Sequence, residues 1–340
     1  MITCLAFAED AISAYKIIDF GLFEMDSSRA LAINEKNQVL GSCEELNNEY
    51  VWLWDEFEGL KFVDLEIPPT QRVQSLKLNN SGQICGVHKH NAAFKCFYFD
   101  PAFGKWELES SDNEIVISAF NDKGQVLGQI RDQMFLWNHG KKINITLLFQ
   151  AQVPGNWSSF QAVSLNNHGH VAFNVYTSGT THPDPGRRSF IWKDGVFKTL
   201  ISKNEWKHVT DQCIDNAVSI EYMDDDENMV LTFFSWGFRH QPYFISKAKD
   251  IFAPCPRCDY LRNGFPMSRG CTPGKRKWDR QGRLYFTRGV EIRKLLRDQY
   301  PYYNITHAEI EDQNSRGCAI GTLDTILSGN HAFLAIPEEK

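Results

Sequence analysis

No stretch of this 340-residue chain approaches the roughly 18 consecutive apolar residues that a membrane-crossing helix requires, so no helical span is expected. The short patterns that announce catalysis are missing too. There is no His-Glu-x-x-His, no Gly-x-Ser-x-Gly elbow, and neither Gly-x-x-x-x-Gly-Lys nor Gly-x-Gly-x-x-Gly to cradle a phosphate. Their absence lowers the expectation of an enzyme without removing it, because some folds assemble a site from residues far apart in sequence. Nor do the cysteines suggest a disulfide framework. They number nine, an odd count, and Cys43, Cys85, Cys96, Cys213 and Cys318 fall in or beside expected strands, where they read as small buried hydrophobes. An apolar stretch at residues 2–8 lacks the basic residues that open a secretory signal. Residues 1–14 therefore read either as the tail of such a signal or as an arm ahead of a single domain at 15–340.

What the chain does have is a repeat. Residues 29–42, RALAINEKNQVLGS, return as VQSLKLNNSGQICGV (73–87), ISAFNDKGQVLGQ (117–129) and QAVSLNNHGHVAFN (161–174). Each copy sets a four-residue turn between two apolar runs, the pattern of a β-hairpin. Asn34, Asn79, Asn121 and Asn166 open the turn, where the side chain can bond the backbone two residues on, and Gly82, Gly124 and Gly169 close it at positive φ. Asn37 and Asn228 are expected to replace that glycine, since Asn tolerates the left-handed region.

A second motif fixes the architecture. Aromatic-rich strands recur as VWLWD, CFYFD, MFLWN, SFIWK, PYFIS, LYFTR and AFLAI, with Trp52, Phe97, Phe135, Phe190, Tyr243, Tyr285 and Phe333 equivalent. Their mean spacing of about 47 residues is the length of a propeller blade. Most copies continue through a glycine (Gly59, Gly104, Gly140, Gly195, Gly289) into a fourth strand. The chain is expected to be all-β, a β-propeller of seven four-stranded blades; the alternative is six blades with an insertion at about 254–282, where no Asn-x-x-Gly turn is found. The last copy ends without a fourth strand, and an orphan strand, YKIIDFG (15–21), precedes the first hairpin. Pairing the two closes the ring and removes the open sheet edges.

The segments AINEKNQVLGS, AFNDKGQVLGQ, FLWNHG, FIWKDG and the terminal His331-Ala332-Phe333 resemble the HAF-type extracellular repeat family, whose members are predicted propellers named for a His-Ala-Phe motif. The resemblance covers most of 15–337 and implies a fold without an established reaction. Departures are Ala172-Phe173 in place of a glycine, the acidic turn Asp224-Asp225-Asp226-Glu227 and the sixth unit.

In a propeller the connections from second to third strand and from outer strand to the next blade share one face, and varied loops on a rigid scaffold are where binding concentrates. Residues 175–188, 235–241, 87–91 and 202–211 are the loops richest in Trp, His and Arg. This favours a non-catalytic binding module for a protein or glycan, centred on His182, Arg187, Arg188, Trp236, Arg239 and His240, because Trp and Arg are the usual interface anchors. The competing class is a propeller hydrolase or lyase using His182, His240 and Asp184 at the channel mouth. Cys255-Pro-Arg-Cys258 with Cys271 resembles part of a Zn²⁺ knuckle, with His240 or His307 as a fourth ligand, against three inert thiols or a disulfide with one thiol spare. No other cofactor is expected. Residues 257–297 hold twelve Lys or Arg against three Asp or Glu, in a chain of net charge −6. Neutralisation by neighbouring blades is the simpler reading of that basic stretch, so nucleic acid is not the expected partner. The family resemblance tips localisation towards secretion or the cell envelope rather than the cytoplasm; oligomeric state is not legible.

Overall fold

The hairpin repeat builds sheets in chain order. The computed structural model describes residues 15–21, 25–68, 70–177, 187–200, 218–235, 238–239, 243–246, 251–254, 305–314, 316–325 and 329–337. Blade 1 is the antiparallel sheet Ser27–Ile33, Val39–Glu45, Asn48–Asp55 and Gly59–Phe62. Blade 2 is Val73–Leu78, Ile84–His90, Ala93–Asp100 and Gly104–Ser111, and blade 3 is Ile115–Phe120, Val126–Ile130, Gln133–Asn138 and Lys141–Asn144. Blade 4 is Trp157–Leu165, Val171–Thr177, Arg187–Lys193 and Val196–Thr199. Blade 5 runs Val218–Met223, Met229–Ser235, Tyr243–Ser246 and Ile251–Pro254, with the short Phe238–Arg239 against its second strand. First strands of neighbouring blades touch, so they are the inner ones. The chain is an all-β propeller. The unit expected around Tyr285, and with it the choice between seven blades and six with an insertion, falls on 255–304, outside the described residues.

The ring closes as the orphan strand implies. The closing blade takes Ile305–Gln313, Ala319–Thr325 and Gly329–Pro337 from the C-terminal part and Tyr15–Gly21 as its outer strand, with Tyr15 opposite Pro337 and Ile18 opposite Leu334. Tyr15 and Ile17 are buried against Leu323, Phe333 and Ala335. His331 lies with Nδ1 3.4 Å from Asp19 Oδ1, the Ala332 N–H donates to Ser28 Oγ at 2.9 Å, and that hydroxyl donates to the Gly21 carbonyl. The His-Ala-Phe motif thus ties the two ends of the chain together.

Each Asn-x-x-Gly turn does two jobs. Asn34 Oδ1 accepts the N–H groups of Lys36 and Gln38, fixing its own hairpin, while Nδ2 donates 2.9 Å to the Asn79 carbonyl of the next blade. Asn79 reaches the Asn121 carbonyl at 3.0 Å, Asn121 that of Asn166 at 2.9 Å, and Asn314 that of Asn34 at 3.0 Å. A second rung runs beside it, with the N–H of Glu35, Asn80, Asp122 and Asn167 donating to the side-chain oxygen of Asn80, Asp122, Asn167 and Asp225 in turn. Blade 5 breaks the pattern: Asp224 stands where Asn would, and the Asn166 amide is 3.4 Å from its carbonyl. There the left-handed residue is Glu227 (φ 57°), not Asn228, because the turn closes three residues after Asp224; Asn228 instead donates its N–H and side-chain amide to the Asp224 carboxylate. Asn37 does occupy the left-handed position (φ 63°).

Inside the blades, glycine makes room for the aromatic row. A Cβ on Gly41 would sit 2.0 Å from the Trp52 ring and one on Gly321 2.7 Å from the Phe333 ring. Every described inner strand also shifts register two to four residues before its turn, at Ala30/Ala32, Ile117/Ala119 and their equivalents, a bulge that strengthens local twist. Blade 4 departs, with Phe173 opposite Phe190 in place of the glycine. The two rings stack at 5.8 Å, and Phe149 meets both from helix α1 (Ile145–Gln152), which is N-capped by Asn144.

Candidate functional site

Because the strands alternate in direction, the turns after each first and third strand lie at one end of the ring, the turn face, and all other connections lie at the opposite loop face. The loop face is less uniformly long than the sequence implies. Blades 1 to 3 cross from second to third strand through two residues, Leu46-Asn47, Asn91-Ala92 and Arg131-Asp132, each with a residue at positive φ. Among the described strands, the second and third are separated by more residues in blade 4, by 178–186, and in blade 5, by 236–242, which includes Phe238–Arg239.

Of the expected binding residues, Arg188 is placed in full. It is exposed, and its guanidinium carbon lies 5.9 Å from the Trp157 ring centroid. The Arg187 backbone pairs with Tyr176 and that of Arg239 with Phe234. His182, Asp184, Trp236 and His240 lie outside the described residues, as do Cys255, Cys258 and Cys271. Among the described residues no three His, Cys, Asp or Glu side chains are grouped to hold a metal ion.

The structure adds two arrangements on this face. In the first, Gln71, from the connection between blades 1 and 2, bridges two histidines: His88 Nδ1 is 3.0 Å from Gln71 Oε1 and Gln71 Nε2 is 2.7 Å from His90 Nδ1. The network assigns the proton of His88 to Nδ1. Burial, helped by Lys105 and Lys95, pushes the His88 pKa down to about 4, so its ring is neutral near pH 7 and is a structural donor rather than a base.

The second is a cleft of about 410 Å³ between blades 2 and 3. Its walls are the end of the outer strand of blade 2 and the Arg131-Asp132 turn of blade 3. Two links cross the seam: Lys142 pairs with Glu109, and Arg131 Nε donates 2.7 Å to Asn113 Oδ1. The Lys142 ammonium also lies 4.0 Å from the Phe135 ring centroid. No local motif marks these residues, which are drawn from positions 109–142 by the packing of successive blades.

No family model matches the chain, and no curated protein matches it. Solved structures that resemble it include dipeptidyl peptidase 4 of Porphyromonas gingivalis, at 9% identity and a TM-score of 0.48, covering 88% of this chain and 44% of that one. The chain therefore spans less than half the length of that protein. Virginiamycin B lyase of Staphylococcus aureus aligns at 12% identity and a TM-score of 0.43 over 94% of this chain and 99% of its own. The SapL1 lectin, solved with α-methyl fucoside, aligns at 10% and 0.35 over 66% of this chain and 78% of its own. At such scores the likenesses assign no activity, and the fold rests on the sheets themselves.

Proposed function

We propose that this propeller is a non-catalytic binding module that takes a protein or glycan on its loop face, with His182, Arg187, Arg188, Trp236, Arg239 and His240 at the centre of the site. The observation that carries the reading is the exposed Arg188 guanidinium beside Trp157, one residue into the third strand of blade 4. Blades 1 to 3 close the connection into that strand in two residues. The HAF-type resemblance fits such a module, since it brings no established reaction. Arg187 and Arg188 would meet acidic or hydroxyl groups, and Trp236 would supply apolar contact.

Substitution tests this. With a ligand recovered by pull-down or glycan array, Arg188→Ala and Trp236→Ala are each expected to cost about 2 kcal/mol or more of affinity, the loss typical of an anchor. Lys36→Ala and Lys123→Ala, in turns at the opposite end, are expected to change nothing. The reverse pattern would move the site to the turn face. Turnover of a ligand, titrating in the histidine range, would show a hydrolase or lyase instead.

A further inference from the structure

We infer that the cleft between blades 2 and 3 is a binding site for a neutral saccharide, separate from the surface around Arg188. Its charges cancel: Arg131 and Lys142 face Glu109 and Asp132, so neither an anion nor a cation gains from entering. Three of these four groups are held. Lys142 is paired to Glu109, and Arg131 is bound to Asn113, which links the two walls across the seam. The groups left over are of mixed kind. Among the described residues the exposed Asp132 carboxylate has no protein hydrogen-bond partner, the exposed Gln133 amide nitrogen has none while its oxygen accepts from Asn144 at 3.1 Å, and Ser110 lines the same wall, so a ligand would meet groups bonded only to solvent.

A ligand that satisfies an acceptor-only carboxylate, an amide donor and a hydroxyl in one place must itself carry several groups that both donate and accept. Vicinal hydroxyls do so; a carboxylate, phosphate or ammonium offers only one kind of bond. The polar lining disfavours an apolar ligand, and the volume of about 410 Å³ lies within the range of small-molecule sites and is too small for a protein element. The chemistry that fits is a sugar unit without charge, entered from the loop face, where Arg131-Asp132 forms the rim.

Saturation-transfer NMR and calorimetric titration of the full chain test the assignment, with glucose, galactose, mannose, fucose and N-acetylglucosamine as neutral probes and N-acetylneuraminic acid and glucosamine as charged ones. At least one neutral sugar is expected to bind with millimolar affinity. The Asp132→Ala/Gln133→Ala double variant, altered only at the rim, is expected to weaken it about tenfold or more, while Arg188→Ala leaves it unchanged. Failure of every neutral sugar to bind, preference for a charged one, or undiminished binding by the double variant would overturn the inference. Loss of sugar binding in Arg188→Ala alone would overturn it while supporting the site on blades 4 and 5.

Discussion

At the turn face, described hairpins of five blades place a buried Asn where its oxygen holds its own turn, and the nitrogen of each crosses to the next described blade. At the loop face the connections have little in common: a two-residue turn carrying Arg131, a glutamine clamping two histidines, nine residues between Thr177 and Arg187. The two ends are made by the same strands, so the difference lies in what each end must do. A blade-to-blade bond demands one side chain at one depth in every repeat, and Asn alone supplies an acceptor and a donor at that reach. At the described loop face no such bond repeats, and the links that cross a seam there, such as Lys142 to Glu109, are particular to one pair of blades. Blade 5 marks the limit of the rule. There Asp224 has no amide to donate onward and burial raises its pKa, while Glu227 joins the Asn166 and Asn167 bonds across the seam with blade 4, meeting both His170 and Lys193 at 2.9 Å.

The largest effect expected is at the closure on which both ends depend. Deleting residues 1–21 removes the outer strand of the closing blade and uncovers Leu323, Phe333 and Ala335, a loss of several kcal/mol in apolar burial. Thermal melting checks it; an unchanged melting temperature would mean that the strand contributes nothing. Next is the turn face itself. Asn121→Ala unmakes the hairpin bonds to Lys123 and Gln125 and the bond to Asn166, at a cost of about 2–3 kcal/mol. Asn121→Asp keeps the turn but loses the donor, and is expected to be destabilised as well, whereas Lys123→Ala two turn positions away is not. Equal melting of all three in denaturant titrations would dissolve the distinction.

A pH dependence sharpens the contrast from the other side. His88 has a folded pKa of about 4 against an ordinary 6.5, so below 6.5 the unfolded chain takes up the proton more readily than the folded one. Its contribution to stability is complete above pH 6.5 and is lost progressively as pH falls towards 4. His88→Gln is expected to flatten that part of the stability curve, measured by denaturant unfolding at several pH values; an unaltered slope would place the titration elsewhere. The smallest effects belong to the loop-face surface. Arg188→Ala and Asp132→Ala are expected to change stability by no more than about 0.5 kcal/mol while changing ligand affinity, and a large stability loss in either would make these residues architectural.

Much of this division was legible in the sequence, because it is written in local spacing. Asn-x-x-Gly and each aromatic strand are runs of a few residues that recur along the chain, and the missing fourth strand at one end is matched by an orphan strand at the other; the turns, sheets and closure follow them. The inter-blade reach of Asn34 was not legible, since its acceptor is 45 residues away. The exchange of Glu227 for Asn228 was missed because composition favours Asn at positive φ, while the turn's hydrogen bond from Glu227 N–H to the Asp224 carbonyl decides the position. The cleft was invisible for the same reason as the bond of Asn34: Glu109 and Lys142 carry no motif and meet only because blades 2 and 3 stack.

Hydrogen exchange of the full chain, with and without a bound glycan or protein recovered by array or pull-down, tests the central claim most directly. The account predicts slowed exchange confined to loop-face segments, residues 108–114 and 130–135 for a neutral sugar and 175–177 with 187–189 for a ligand of blades 4 and 5, with 34–38, 79–83 and 121–125 unchanged. Protection concentrated in those turn segments, with the loop-face segments unaltered, would contradict it.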